Sequence, residues 1–256
     1  MGHVILTSKQ LINHPEYMQS SYVLPITIVV AGALIAGAVF FVGKNNTPGN
    51  TDGTAKTDVR AYDPSLDHIL GNPNAAVKVV EYADLECPYC KTFHTTMHQI
   101  MDHYGTSGDV AWIYRHFPLG QLHSKAPQEA AAAECAADQG GDVAFYKYID
   151  KVYEVTPSSN GLDLAQLPVL AGQIGLDVEV FTQCLSSGKF AKKVQNSYDE
   201  AIAAGGQGTP HVIIMVGNDS VTLQGSQPYD SMRAAIDAVL GQVTTPAPAA
   251  TATTTQ

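Results

Sequence analysis

The sequence predicts an α/β domain with a helical insertion, preceded by a single N-terminal transmembrane helix. A β-branched segment leads into a Cys-x-x-Cys motif at the start of an amphipathic helix, a long helical region separates this unit from a β-hairpin, and an apolar stretch of about 20 residues precedes them all. With 256 residues, 45% of them hydrophobic, the chain can bury a core of ordinary size. A net charge of −10 without any basic cluster argues against a nucleic-acid partner.

The predicted transmembrane anchor is residues 22–43, which follow a short N-terminal segment, residues 1–21. No charged residue lies between Glu16 and Lys44. About 20 apolar residues in a helix span the roughly 30 Å hydrocarbon core of a bilayer. The stretch is longer than that of most secretory signals and ends in Phe-Phe-Val rather than in small residues, which favours an uncleaved anchor over a cleaved signal peptide.

Two further segments lie outside the predicted domain. Residues 44–65 contain few side chains that could pack and are predicted to form a flexible linker, and residues 243–256 are predicted to be a disordered tail of Thr, Ala and Pro. The folded domain is therefore expected at about 66–242. Basic residues are more frequent after the apolar stretch than before it, which by the positive-inside rule places the domain in the cytoplasm.

The order of elements within the domain follows from hydrophobic periodicity. Strands are predicted at residues 77–82, 110–117, 212–216 and 221–223, the last two forming a hairpin around Gly217-Asn218-Asp219. Helices are predicted directly after Pro88, at several places in 125–204, and at the end, stopping before Gly241. The first strand–helix–strand unit needs a right-handed crossover and a parallel strand pair, whereas the hairpin adds antiparallel strands.

The motif Cys87-Pro88-Tyr89-Cys90 carries the predicted chemistry. Cys87 lies at the helix N-terminus, where free N–H groups and the helix dipole favour a thiolate, and Pro88 suits the first helical turn. Cys90, one turn later and more buried, is suited to resolve a mixed disulfide. Half of a zinc site is the alternative interpretation, but Cys135 and Cys184 are solitary and supply no second ligand pair at the spacing of a zinc site, and no metal is assigned.

The chain closely resembles the DsbA-like thiol:disulfide oxidoreductases of the thioredoxin superfamily. The resemblance begins with the stretch from His68 to His94, which contains the Cys-Pro-Tyr-Cys motif. It continues through Tyr-Arg-His-Phe-Pro-Leu at 114–119, His123, the Ala-rich segment 130–137 and Gly-Thr-Pro at 208–210. It covers roughly residues 66–241 and implies a thioredoxin fold with a helical insertion at about 119–205.

The resemblance also implies roles for residues near the cysteines. It implies a cis peptide bond between Thr209 and Pro210 in a loop against the sulfur atoms, where the backbone of Thr209 pairs with an extended client peptide. Pro88 and Tyr89 complete the expected substrate-binding surface. His211, directly after this loop, either lies near the sulfur atoms and perturbs Cys87 or faces solvent.

Acidic residues near the motif fall into two groups. Glu81 lies six residues before Cys87, where the family carries an acidic residue beneath the active site. If buried, it has a raised pKa and can relay the proton of Cys90; the alternative is that it faces solvent. Asp84 and Glu86 are expected to be solvated loop carboxylates with a weak effect on the redox potential.

The remaining cysteines and a histidine pair leave alternatives open. Cys135 and Cys184 are either two buried small residues or a structural disulfide, which members of this family sometimes carry at similar positions. The even number of cysteines favours pairing, and closing a loop of about 50 residues stabilises by roughly 4 kcal/mol.

His94 and His98, one helical turn apart, have the spacing of metal ligands, but a solvated helix flank is the preferred interpretation.

The sequence thus favours a membrane-anchored, monomeric oxidase with its catalytic domain outside the cytoplasm. It is expected to introduce disulfides into exported proteins with free cysteines, to be reoxidised by a membrane redox partner, and to need no cofactor. The count of basic residues favours a cytoplasmic domain, but disulfide formation requires an oxidising compartment, and this second argument decides the prediction. Two alternatives share the fold and the chemistry: a reductase, which would face the cytoplasm if the count of basic residues decides the orientation, and an isomerase. Two others do not: a metallochaperone that uses the Cys-x-x-Cys motif, and a redox-inactive client-binding module.

Overall fold

A five-stranded mixed sheet organises the residues that the computed structural model describes, 59–244. The strands are β1 (His68–Gly71), β2 (Val77–Ala83), β3 (Val110–His116), β4 (His211–Val216) and β5 (Asp219–Gln224). Their order in the sheet is β1-β3-β2-β4-β5. Strands β2 and β3 are parallel, as a strand–helix–strand crossover requires, and the other neighbouring pairs are antiparallel.

Six helices accompany the sheet in the described part of the chain. They are α1 (Pro88–Tyr104), α2 (Ala126–Val155), α3 (Gln166–Gln173), α4 (Val178–Ser187), α5 (Ala191–Ala203) and α6 (Tyr229–Thr244). Helix α1 joins the two parallel strands, whereas α2 to α5 lie between β3 and β4 and form the predicted helical insertion. Helix α2 is interrupted at Gly140 and Gly141, where the backbone leaves the helical conformation.

The sheet separates two apolar layers. Val79 and Trp112 belong to a layer built with α1, α2 and α6, which also contains both cysteines of the Cys-x-x-Cys motif. Val80 and Ile113 belong to the opposite layer, which includes residues of α5. Successive strand residues point to opposite faces, so each strand contributes to both layers. The Cys-x-x-Cys motif is therefore anchored in the first of these layers.

Three details differ from the sequence prediction. Strand β1 was not predicted, because its four residues show no period-two alternation and are recognisable only by their pairing with β3. Helix α6 continues through Gly241 to Thr244, since a single glycine weakens a helix without ending it. The first two residues of the predicted tail, 243 and 244, thus belong to this helix.

The third difference concerns residues 59–65, which were assigned to the flexible linker. Val59 and Tyr62 instead pack against the second apolar layer. Arg60 makes ion pairs with Asp67 and Glu200, at 2.9 and 3.1 Å. Apolar contacts and the ion pair with the buried Asp67 therefore fix a segment whose composition is typical of a linker. The folded domain begins before residue 66.

Among residues 59–244, no helix is long and apolar enough to cross a lipid bilayer. The predicted N-terminal segment, the predicted anchor at 22–43, the linker up to residue 58 and the tail from residue 245 lie outside the described residues.

Candidate active site

The junction between β2 and α1 positions the two cysteines of the motif. Cys87 is the N-cap residue of α1 and Pro88 occupies the first turn, as the sequence predicts. The backbone N–H of Cys87 donates to the carbonyl of Asp84 at 3.1 Å, which fixes the turn before the helix. Both cysteines are free thiols; Cys87 is 5% exposed, whereas Cys90 is completely buried. An incoming sulfur atom can therefore reach Cys87 but not Cys90.

Electrostatics distinguish the two thiols as strongly as exposure does. The pKa of Cys87 is lowered to about 6, chiefly by a hydrogen bond from the Cys90 thiol; burial opposes the effect, and the Thr209 side chain and two backbone N–H groups of the first turn assist it. Burial and the neighbouring Cys87 sulfur raise the pKa of Cys90 well above its ordinary value. At neutral pH the pair thus holds one thiolate and one thiol.

The loop before β4 lies against the sulfur atom of Cys87. The Thr209–Pro210 peptide bond is cis, and the Thr209 carbonyl lies 3.4 Å from the Cys87 sulfur, from which it accepts a hydrogen bond when Cys87 is protonated. Pro88 and Tyr89, between the two cysteines, are exposed, Tyr89 by 67%. The residues predicted to bind a substrate chain thus share one surface with Cys87, except for His211.

His211 has neither of its predicted positions. It is completely buried, and its Nε2 atom hydrogen-bonds the carbonyl of Ala204 at 3.1 Å. Its ring lies 5.9 Å from that of Tyr82, in the layer opposite the cysteines. Because β4 alternates, Val212 faces the cysteine layer and His211 faces away from it. The assignment of His211 to the substrate-binding surface is therefore wrong.

Glu81 lies on β2, is completely buried, and is close enough to Cys90 to interact with it electrostatically. Its Oε2 atom accepts a hydrogen bond from the indole N–H of Trp112 at 2.9 Å, and Oε1 has no hydrogen-bond partner among the described residues. Burial raises the pKa of Glu81 to about 8, more than the Trp112 hydrogen bond lowers it. Its charge also raises the pKa of Cys90. The solvent-facing alternative for this carboxyl group is excluded.

Two carboxylates expected in solvent are instead buried scaffold groups. Asp84 accepts hydrogen bonds from the backbone N–H of Leu119 at 2.8 Å and from His123 at 2.9 Å. Glu86 accepts from the backbone of residues 160–162. Their partners lie more than 30 residues away along the chain, so no local sequence signal reveals them. They tie the loop before Cys87 to the helical insertion.

The other two cysteines form a disulfide between α2 and α4. Cys135 and Cys184 are both buried, and their Cα atoms lie 5.8 Å apart. This bond lies within the helical insertion, whereas Cys87 and Cys90 begin α1. Of the two alternatives left by the sequence, the structure has the disulfide rather than two free small residues.

A mixed sheet with a helical insertion, and a Cys-x-x-Cys pair at a helix start beside a cis-proline, define the thioredoxin-fold class of proteins. The family model described as Thioredoxin matches residues 65–238. The chain belongs to this family and, within it, to the DsbA-like thiol:disulfide oxidoreductases.

Solved structures show the same relationship. DsbA2 of Pseudomonas aeruginosa is 27% identical with a TM-score of 0.58, over 70% of this chain and 97% of that one. α-DsbA1 of Wolbachia pipientis is 27% identical with a TM-score of 0.59, over 69% of this chain and 92% of that one. Oxidised BdbD of Bacillus subtilis, 23% identical over 70% of this chain and 95% of that one, has the same fold with a TM-score of 0.61.

The curated proteins that match this chain are named as Na(+)/H(+) antiporters. The Na(+)/H(+) antiporter NhaA 1 of Mycolicibacterium gilvum is 30% identical over 158 residues, 61% of this chain and 24% of that protein. The antiporter NhaA of Herminiimonas arsenicoxydans is 31% identical over 176 residues, 69% of this chain and 26% of that protein. The chain spans about a quarter of the length of the curated relatives it matches.

Proposed function

We propose that this protein is a dithiol oxidase that introduces disulfides into exported proteins. The observation that carries the proposal is the asymmetry of the cysteine pair: Cys87 has a pKa of about 6, whereas the pKa of the buried Cys90 is raised. A stabilised thiolate favours the reduced form of the pair, so its disulfide is a better oxidant than one between two cysteines of ordinary pKa. The DsbA names of the structural neighbours support the same activity.

The reaction begins with the pair oxidised. A client thiolate attacks the Sγ atom of Cys87, the bond between Cys87 and Cys90 breaks, and the Cys90 sulfur leaves with the electron pair. It then takes a proton, which the buried carboxyl group of Glu81 is placed to supply because its pKa of about 8 keeps it protonated at neutral pH. The product of this step is a mixed disulfide between the client and Cys87.

The second step releases the client. Its other thiolate attacks the client sulfur of the mixed disulfide, and Cys87 leaves as a thiolate, the form that its low pKa favours. The client dithiol has lost two electrons and two protons, and the enzyme pair has gained two electrons. A membrane redox partner that accepts two electrons restores the disulfide for the next cycle.

Clients are expected to bind as extended chains beside the cis-proline loop. The Thr209 backbone lies within contact of Cys87, and Pro210 has no N–H that would need a partner. Pro88 and Tyr89, which directly follow Cys87, are exposed and offer apolar surface next to it. Recognition through backbone groups suits an enzyme that accepts many unrelated cysteine-containing sequences.

The equilibrium redox potential of the Cys87–Cys90 couple tests the direction of the reaction. We expect a value nearer to −120 mV, typical of an oxidant, than to −270 mV, in glutathione buffers with the fluorescence of Trp112 as the signal. A value near −270 mV would instead support the reductase alternative. The double variant Cys135→Ala/Cys184→Ala is the matched control, because it removes the distant disulfide and should leave the potential unchanged.

A further inference from the structure

Three metal-ligating side chains meet between α1 and α2. His94 and His98 lie one turn apart on this helix, and Asp150 reaches them from α2. The Oδ1 atom of Asp150 lies 2.7 Å from Nε2 of His94 and 2.8 Å from Nε2 of His98, and the two Nε2 atoms are 3.2 Å apart. The interpretation of this flank as merely solvated is wrong for His94, which is buried. Asp150 could not be anticipated, because it lies 52 residues beyond His98.

These separations are those of ligands around one ion. Zinc lies about 2.0–2.1 Å from imidazole nitrogen and carboxylate oxygen, which places neighbouring ligand atoms roughly 2.9 Å apart in octahedral coordination and roughly 3.3 Å apart in tetrahedral coordination. The two Nε2 atoms and the Oδ1 atom form a slightly smaller triangle, with sides of 2.7, 2.8 and 3.2 Å. An ion at zinc bond lengths from all three atoms would lie about 1 Å out of the plane of this triangle. The carboxylate oxygen can accept hydrogen bonds from both Nε2 atoms when each carries a proton, and the same three atoms can bind one cation when the two nitrogen atoms present lone pairs.

The surroundings hold these ligands in place and leave one side open. The His94 ring packs edge-on against Trp112 at 5.2 Å and lies 4.6 Å from the ring of Tyr153, while His98 packs on the same indole at 5.5 Å. The side chains of His98 and Asp150 are 39% and 41% exposed. An ion can therefore enter from solvent, and water can complete its coordination.

We propose that His94, His98 and Asp150 bind a divalent transition-metal ion of the zinc class. Two imidazoles with one carboxylate suit zinc, copper, nickel or iron(II), whereas calcium and magnesium prefer an all-oxygen set. The site needs neither sulfur atom, although His94 lies one helical turn after Cys90. It therefore differs from the metallochaperone alternative, in which the Cys-x-x-Cys pair would hold the metal.

The site adjoins the buried carboxyl group of the redox centre. Trp112 contacts both histidine rings, and its indole N–H donates to Glu81 at 2.9 Å. Bound metal thus adds positive charge one aromatic ring away from Glu81. Because Trp112 is the only tryptophan of the chain, its fluorescence reports directly on occupancy.

The test is a zinc titration of the full chain, purified without a histidine tag and with Cys87 and Cys90 oxidised to a disulfide so that no thiol competes. We expect one zinc ion per chain by calorimetry, a saturable change in Trp112 fluorescence with the same midpoint, and a higher melting temperature with zinc. Asp150→Asn and His98→Gln should bind zinc at least tenfold more weakly, because even loss of an outer-shell partner costs about 10–100-fold in affinity.

The matched control is His103→Gln, which removes an exposed histidine from the same helix and should bind zinc like the unchanged protein. Far-UV circular dichroism of each variant checks the fold, which should stay intact because His98 and Asp150 are partly exposed. The proposal is overturned if the oxidised chain shows no saturable zinc binding below millimolar concentration. It is equally overturned if Asp150→Asn and His98→Gln bind as tightly as His103→Gln, or if binding occurs only with the cysteines reduced.

Discussion

At the scale of single residues, the reactivity of Cys87 depends on the thiol one turn further along α1. The hydrogen bond from Cys90 is the largest cause of its lowered pKa. Cys90→Ala should therefore raise the pKa of Cys87 from about 6 towards its ordinary value, whereas Cys90→Ser retains a hydroxyl donor and should raise it less. The thiolate absorbance at 240 nm, titrated from pH 4 to 10, measures both. Equal pKa values in the two variants would contradict the hydrogen-bond explanation.

The carboxyl group of Glu81 should set the pH dependence of dithiol oxidation. Below its pKa of about 8 it is protonated and can give a proton to the departing Cys90 sulfur; above that pH it is ionised and cannot. We expect the rate of client oxidation, corrected for ionisation of the client thiol, to fall above about pH 8. In Glu81→Gln the rate at pH 7 should be lower by about tenfold or more, because no carboxyl group supplies the proton. The rate of this variant should no longer fall above about pH 8.

Stability provides an independent readout for the same substitution. A carboxyl group whose pKa is raised by folding destabilises the folded state as pH rises from its unfolded value near 4.5 to about 8. Glu81→Gln should thus be more stable than the unchanged protein at pH 8 and differ little at pH 4, as urea unfolding can measure. If Glu81→Gln stabilised the protein more at pH 4 than at pH 8, relative to the unchanged protein, the predicted pH dependence would be contradicted.

Residue-level prediction succeeded where the chemistry is local in sequence. Cys87, Pro88 and Cys90 are adjacent, and their positions at a helix start follow from the strand and helix patterns on either side. The burial of Glu81 follows from a β-branched strand. By contrast, the face on which His211 lies depends on the phase of β4, and the partnership of Asp150 with His94 depends on how two helices pack. Neither is encoded over a short stretch of sequence.

At the scale of elements, the disulfide between α2 and α4 should stabilise the insertion without serving the reaction. It closes a loop of 49 residues, which by chain entropy contributes about 4 kcal/mol. Cys135→Ala/Cys184→Ala should lower the free energy of unfolding by up to about that amount, as urea denaturation measures. The pKa of Cys87 should stay at about 6, because no group of this disulfide contributes to it. A shifted pKa would show that the insertion controls the active site.

Elements with a continuous hydrophobic pattern were predictable, and elements defined by their partners were not. Strand β2, helix α1 and the β4–β5 hairpin each carry their own periodicity or turn residues. Strand β1 is four residues long and exists through its antiparallel pairing with β3. The segment around Arg60 is fixed by Asp67, whose buried carboxylate also pairs with Arg115 at 2.7 Å. Such contacts are tertiary, and composition alone assigns these residues to a linker.

At the scale of the whole molecule, the proposed oxidase activity requires the cysteine pair to lie in an oxidising compartment. The count of basic residues around the apolar stretch favours the opposite orientation. The chemistry of the pair decides our prediction, because a reducing cytoplasm would keep Cys87 and Cys90 as thiols and prevent the formation of the buried disulfide between α2 and α4. We therefore predict an anchor at 22–43 with the domain on the extracytoplasmic side.

A thiol reagent that does not cross membranes distinguishes the two orientations. After brief mild reduction, intact cells expressing the full chain should be labelled at Cys87, the one site cysteine with exposed surface and a thiolate at neutral pH. Cys87→Ser should remove the label, since Cys90 is buried, and removing residues 22–43 should release the domain from the membrane fraction. Labelling that appears only after the cells are permeabilised would place the domain in the cytoplasm. The same asymmetric thiol pair would then act there as a reductase, with electrons flowing from the enzyme to its clients.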